Sequence, residues 1–220
     1  MASQTPWIAL LTMLLAVAAL VSARDSSTDD VASVSLALSH DVADWRAKDT
    51  GRPSETRYTQ ADIELWSREI PGIEVGLAAG VGRLSQGNDA VTGGRSFTGH
   101  SLGLLARSHW SLTDNLGVHV RAVWTYHRAD DDDIDFEWFD AYGRTGLTAD
   151  AGRWRLGGGA TVGWLRGERR QPGETRDLEL DQNLGAYART AIRTGRRGEI
   201  SLSVETGPRR AVNLRFTRGF

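Results

Sequence analysis

The densest run of chemistry-bearing side chains is Asp130-Asp131-Asp132-Asp133, followed by Asp135. Carboxylates this close attract divalent cations, yet no glycine stands sixth and no glutamate twelfth, so the spacing matches no Ca²⁺ loop and predicts a solvated loop tip. His40, Asp41, Asp44 and His127 supply the groups a histidine-and-carboxylate hydrolase would use to activate water. No serine elbow or metal-spaced histidine pair accompanies them. Arg166, Arg169, Arg170 and Arg176 form a basic cluster suited to phosphate groups. The residues implicate no cofactor and no metal.

The elements that must position these groups are legible in the composition and the alternation. The chain has 220 residues, 25 glycines and 8 tryptophans, and no cysteine, which excludes a disulfide scaffold and a lipoprotein anchor. A formal net charge of -2 argues against nucleic acid as a partner. From Trp7 to Val21 the chain carries no charge, and Val21-Ser22-Ala23 offers small residues at alternate positions. This predicts a signal peptide over residues 1–23, cleaved after Ala23; the absence of a preceding Lys or Arg leaves a retained anchor as the alternative.

Beyond Ala23, period two recurs in ten segments, apolar on one face and small or charged on the other. Val34, Leu36 and Leu38 alternate with serines and Ala37; Trp154, Leu156, Ala160, Val162 and Trp164 alternate with Arg155, Thr161 and glycines. Tight turns at 70–72, 113–115, 150–152 and 195–198 alternate with mostly longer polar links at 40–56, 85–96, 129–135 and 167–176, and with a shorter one at 206–209. Short turns at one rim and long loops at the other predict an all-β, closed antiparallel up-and-down transmembrane barrel of ten strands over 24–220.

The apolar faces carry almost no charge across their middles, which suits lipid outside and polar groups inside. Trp154 and Trp164 share that face ten residues apart, about 25 Å along a tilted strand, the height of a lipid-facing band. Trp110 and Phe220 at one end, and Trp124, Tyr126 and Phe97 at the other, are expected to complete the two aromatic girdles. By parity the lumen collects Asp62, Glu64, Glu74, Asp140, Glu179, Asp181, Glu199 and Glu205 against Arg107, Arg121, Arg144, Arg155, Arg189, Arg193 and Arg215. Eight acids against seven arginines predict a lumen filled by paired charges.

With its leader, its turn-and-loop alternation and its last strand VNLRFTRGF, the chain resembles the small outer-membrane β-barrel proteins of Gram-negative bacteria. The resemblance implies residence in the outer membrane after export through the periplasm, contact with its lipid and lipopolysaccharide, and recognition of Val212, Leu214, Phe216 and Phe220 by the barrel-assembly machinery. Arg218 stands where an apolar residue is usual, near enough to the rim to snorkel. Three roles remain open to the sequence: a structural or surface-interaction barrel with short loops, a narrow channel for small solutes, and a rim hydrolase.

Overall fold

The computed structural model describes residues 33–220 apart from 71, 88–90, 181–182 and 208. The expected signal peptide, and Asp181 of the expected lumen charges, lie outside the described residues. No helix among the described residues is long and apolar enough to cross a membrane. The elements are all strands: β1 (Ser33–Ala47), β2 (Pro53–Ile70), β3 (Ile73–Gln86), β4 (Ser96–Ser111), β5 (Leu116–Asp131), β6 (Ile134–Ala151), β7 (Trp154–Gln171), β8 (Glu174–Leu180), β9 (Leu184–Arg193), β10 (Gly198–Thr206) and β11 (Arg210–Gly219). Each pairs antiparallel with its neighbours, and β11 closes on β1 from Ser33↔Gly219 to Val42↔Arg210.

The ring changes its circumference. At the end holding Ser33 and Phe220, here called proximal, β7 pairs with β9 from Trp154↔Ile192 to Val162↔Leu184, and the wall has ten strands. Towards the distal end, β7 pairs instead with β8, and β8 reaches β1 directly through Trp45↔Leu180, Arg46↔Glu179 and Ala47↔Leu178. The β10–β11 hairpin is too short to reach this level, so eight strands close above it. β8 and β9 are thus two pieces of one wall position, which reconciles eleven strands with a ring of ten.

The longer links of the sequence turn out to be mostly strand. β6 and β7 have 18 residues each, and at about 3.3 Å per residue and a tilt near 40° they rise about 45 Å, well beyond a 25 Å lipid band. Most distal connections shrink to tight turns, such as Pro172-Gly173, where Gly173 takes the positive φ of 79° that a type II turn needs after proline. The charged, mixed composition of these segments lacks a clean alternation, so the sequence alone predicts loops there.

The outward face is apolar and exposed. Leu38, Leu77, Leu102, Leu104, Leu156 and Val162 are among the many large hydrophobics open to the surroundings, an arrangement stable only against lipid. The inward face carries the buried polar groups Ser35, Asp62, Glu64, Arg121, Thr125 and Asp140. Space inside is managed by glycines on β3: Trp66 lies over Gly76, Asp62 over Gly80 and Tyr58 over Gly82, where a Cβ would collide with each. Large side chains of β2 therefore lie along the wall instead of crossing the lumen.

Candidate functional site: the lumen

The distal neck is filled by an apolar cap. Trp45, Tyr58, Leu84, Phe97, Phe136, Trp138, Leu165 and Leu178 form one buried cluster inside the eight-stranded part of the ring. Phe97 meets Phe136 edge-on with centroids 4.8 Å apart, and Trp138 meets Trp45 at 5.2 Å and Tyr58 at 5.3 Å. An eight-stranded barrel is narrow enough for side chains to fill, and these do so. Phe97 was expected in the outer girdle; it is wholly buried in this cap instead, because its parity is that of Gly103 and Arg107, the inward set of β4. Trp110, Trp124, Tyr126, Trp154 and Trp164 stand exposed on the outward face, and Phe220 is partly exposed.

Below the cap lies a ladder of ion pairs. Glu64 Oε1 accepts from Arg121 at 2.7 Å and from Arg215 at 2.8 Å, while its Oε2 accepts from the Trp66 indole at 3.1 Å. Glu205 accepts from Tyr142 Oη at 2.6 Å and has Arg144 at 3.8 Å. Nearer the proximal end, Glu74 holds Arg107 at 2.9 Å, and Asp150 holds Arg155 and Arg193, both at 2.7 Å. Glu199 bridges Arg155 and Arg189. One sequence assignment fails: Glu179 faces outward. On β8 it is Leu178 that is buried, and Glu179 lies in register with the outward Arg166 and Arg46. Inward parity is even on β8 and odd on β9, so a single parity carried across both misplaces Glu179.

The hydrolase candidates separate. His40 stays exposed and bonds Thr59 Oγ1 at 2.7 Å. His127, expected at the rim, is buried in the lumen: its ring stacks on Trp138 with centroids 4.6 Å apart and 5° between planes, and Nε2 lies 3.3 Å from Asp140 Oδ1. Asp140 also binds Arg209, which reaches inward from the tip of the β10–β11 hairpin. Asp130, Asp131 and Asp135 lie near arginines: Asp130 with Arg128 of its own strand at 4.0 Å, Asp131 with Arg95 just before β4 at 2.9 Å, and Asp135 with Arg128 of the neighbouring β5 at 3.8 Å. Of the basic cluster, Arg169 points inward and is buried, while Arg170 remains half exposed beside Glu137 and Glu168.

Between cap and ladder is a cavity of roughly 130 Å³. The sequence offered no direct signal for it, although the inward parity of Tyr58, Phe136 and Trp138 on otherwise polar faces marked where the lumen changes character. Tyr58, Trp66 and Arg209 have no counterpart in the sequence reading, the aromatics because they look like lipid contacts and Arg209 because it sits in a turn. Outside the membrane, Glu55 on the distal part of β2 links Arg57 at 2.7 Å with Arg210 of the hairpin at 3.3 Å. Hydrogen bonding from Arg57 is the largest influence holding its carboxyl below the ordinary value of 4.5. A lowered carboxyl stabilises above its unfolded pKa and stops doing so as pH falls through the folded one. NMR titration is expected to find Glu55 below 4.5, and Arg57→Ala to move it upward; because the pair is largely solvated, overall stability should scarcely change.

No family model matches the chain, and no curated protein does. Solved structures are similar to it. The COG4313 outer membrane channel from Pseudomonas putida F1 aligns over 89% of this chain and 97% of its own, with a TM-score of 0.54 and 11% identity. Also similar are the outer membrane protease OmpT from Escherichia coli, over 89% and 99% with TM-score 0.46 and 10% identity, and the translocator domain of autotransporter NalP from Neisseria meningitidis, over 95% and 94% with TM-score 0.47 and 12% identity. At such identities the likeness speaks for the fold alone. Together with the exposed apolar belt it defines the class: an all-β outer-membrane barrel protein of the Gram-negative type, antiparallel, with a ring of ten strands. Its fold is that of barrels of the bacterial outer membrane.

Proposed function

We propose that the protein is a closed barrel with a structural or surface-interaction role, carrying a rigid eight-stranded neck beyond the membrane. The observation that carries this reading is the cap: Phe97 and Phe136 are fully buried across a neck that the fold has already narrowed. The ion-pair ladder beneath it supports the same reading, since buried guanidinium and carboxylate groups in bonding contact leave little room for ions to pass. Refolded protein in planar bilayers is expected to give no discrete single-channel steps; regular steps would replace this reading with a narrow channel for small solutes. Rim hydrolysis is supported least, because His127 and Asp140 are enclosed under the cap.

The same proposal includes export by the apolar run over 7–21 and cleavage after Ala23. It includes assembly through the last strand, where Val212, Leu214 and Phe216 present an exposed apolar row. Outer-membrane lipid would cover the belt, and lipopolysaccharide phosphates would meet arginines such as Arg170 on the neck.

A further inference from the structure

We propose that the lumen cavity binds a small organic cation, specifically a primary ammonium on a short alkyl chain. The charge inventory of the cavity wall motivates this. Five carboxylates line it, those of Asp41, Asp62, Glu64, Asp140 and Glu205, against the four guanidiniums of Arg121, Arg144, Arg209 and Arg215. The pairings use all four cations on three acids: Arg121 and Arg215 on Glu64, Arg144 on Glu205, Arg209 on Asp140. Asp62 is left with neutral donors, Gln60 Nε2 at 2.6 Å and Ser101 Oγ at 3.3 Å. Asp41 has no cation within ion-pair distance among the described residues. A buried carboxylate without a cation is costly unless it is protonated, and with all five acids ionised one added positive charge balances the four guanidiniums.

Independent of the acids, polar atoms around the same space lack partners. Tyr58 Oη and His127 Nδ1 are buried without a hydrogen bond, on residues that are 7% and 4% exposed and that line the cavity. An ammonium carries three donors, which suits two carboxylates and a hydroxyl or imidazole acceptor. Part of the remaining wall is aromatic: Tyr58 and Trp138 stand edge to face beside His127 and can receive both the cation and its alkyl chain. The volume of roughly 130 Å³ compares with about 150 Å³ for a protein cavity that holds benzene. A divalent metal fits less well, since no group of three His, Asp or Glu among the described residues is placed to hold one.

The test uses the full mature barrel refolded in detergent micelles, at fixed ionic strength, with n-butylammonium chloride as the probe. Sodium butyrate, n-butanol and CaCl₂ are run alongside it. Saturable binding by calorimetry, accompanied by a change in tryptophan emission, is expected for n-butylammonium alone. Asp62→Asn is expected to weaken it at least tenfold and Asp114→Asn, in an exposed turn, to leave it unchanged. Equal binding of n-butanol would reduce the cavity to an apolar void, and binding of Ca²⁺ without the ammonium would make it a metal site; either overturns the proposal. So would unaltered affinity in both Asp41→Asn and Asp62→Asn. Heat-modifiable gel mobility reports whether the variants fold, and the ligand series on the unsubstituted protein decides the matter even if they do not.

Discussion

Glu64→Gln is expected to destabilise the barrel by about 3–5 kcal/mol, the cost typical of breaking a buried ion pair by removing one partner. Glu64 is the shared acceptor of Arg121 and Arg215, and the three side chains are 5%, 8% and 16% exposed. Glutamine keeps the volume and one acceptor for the Trp66 indole. It removes the only charge among the described residues that both guanidiniums touch, and Arg144 stands in the same lumen to add repulsion. The expected signature is a lower urea midpoint in lipid vesicles with an unchanged slope. Pairing the change with Arg215→Met should restore part of the loss, because one unbalanced cation leaves with it. A shift below about 1 kcal/mol would mean that Glu64 is solvated or protonated in the folded barrel, and the ladder would lose its central rung.

The second large effect is expected at the cap. Phe136→Ala removes a wholly buried ring that packs edge-on against Phe97, and should cost about 3–5 kcal/mol, the range for a core phenylalanine. Phe139→Ala, one outward position on the same strand, is the contrast: its ring is already 38% exposed and lies against lipid, so its loss should cost much less. The double change Phe97→Ala with Phe136→Ala goes further and should admit ions through the neck, seen as single-channel steps absent from the unsubstituted protein. If the double variant folds and still shows none, closure rests on the charged ladder and not on the cap.

Much of the wall was legible because its rule is local. Trp154, Leu156, Val162 and Trp164 alternate with Arg155 and the glycines of the same strand, and a lipid-facing side must carry that pattern wherever the bilayer reaches. The charged lumen was legible for the same reason: Glu64, Arg121, Arg144 and Arg215 follow from parity alone. The neck was not. There both faces meet something other than lipid, and Phe136 and Trp138 sit on the parity of Asp140 because the ring around them has tightened. That tightening depends on Trp45 meeting Leu180, a pairing across most of the chain that no local pattern announces. His127 was misplaced for a related cause. Beside an aspartate run it looks like a surface group, although it shares the parity of Arg121 and Thr125, and in the structure it is buried against Trp138 and Asp140.

The passage from ten strands to eight has a consequence for how the molecule is seen by its neighbours. Barrel diameter grows roughly linearly with strand number, so the neck is about four-fifths as wide as the base. The narrowing is not shared around the circumference, since all of it falls at the β10–β11 hairpin, whose tip stops at Arg209 and Arg210 while β1 and β7 continue. A cylinder looks the same from every bearing; this one has a single shoulder. That ledge gives the protein a heading, so that the neck presents a different profile on the side of the hairpin than on any other.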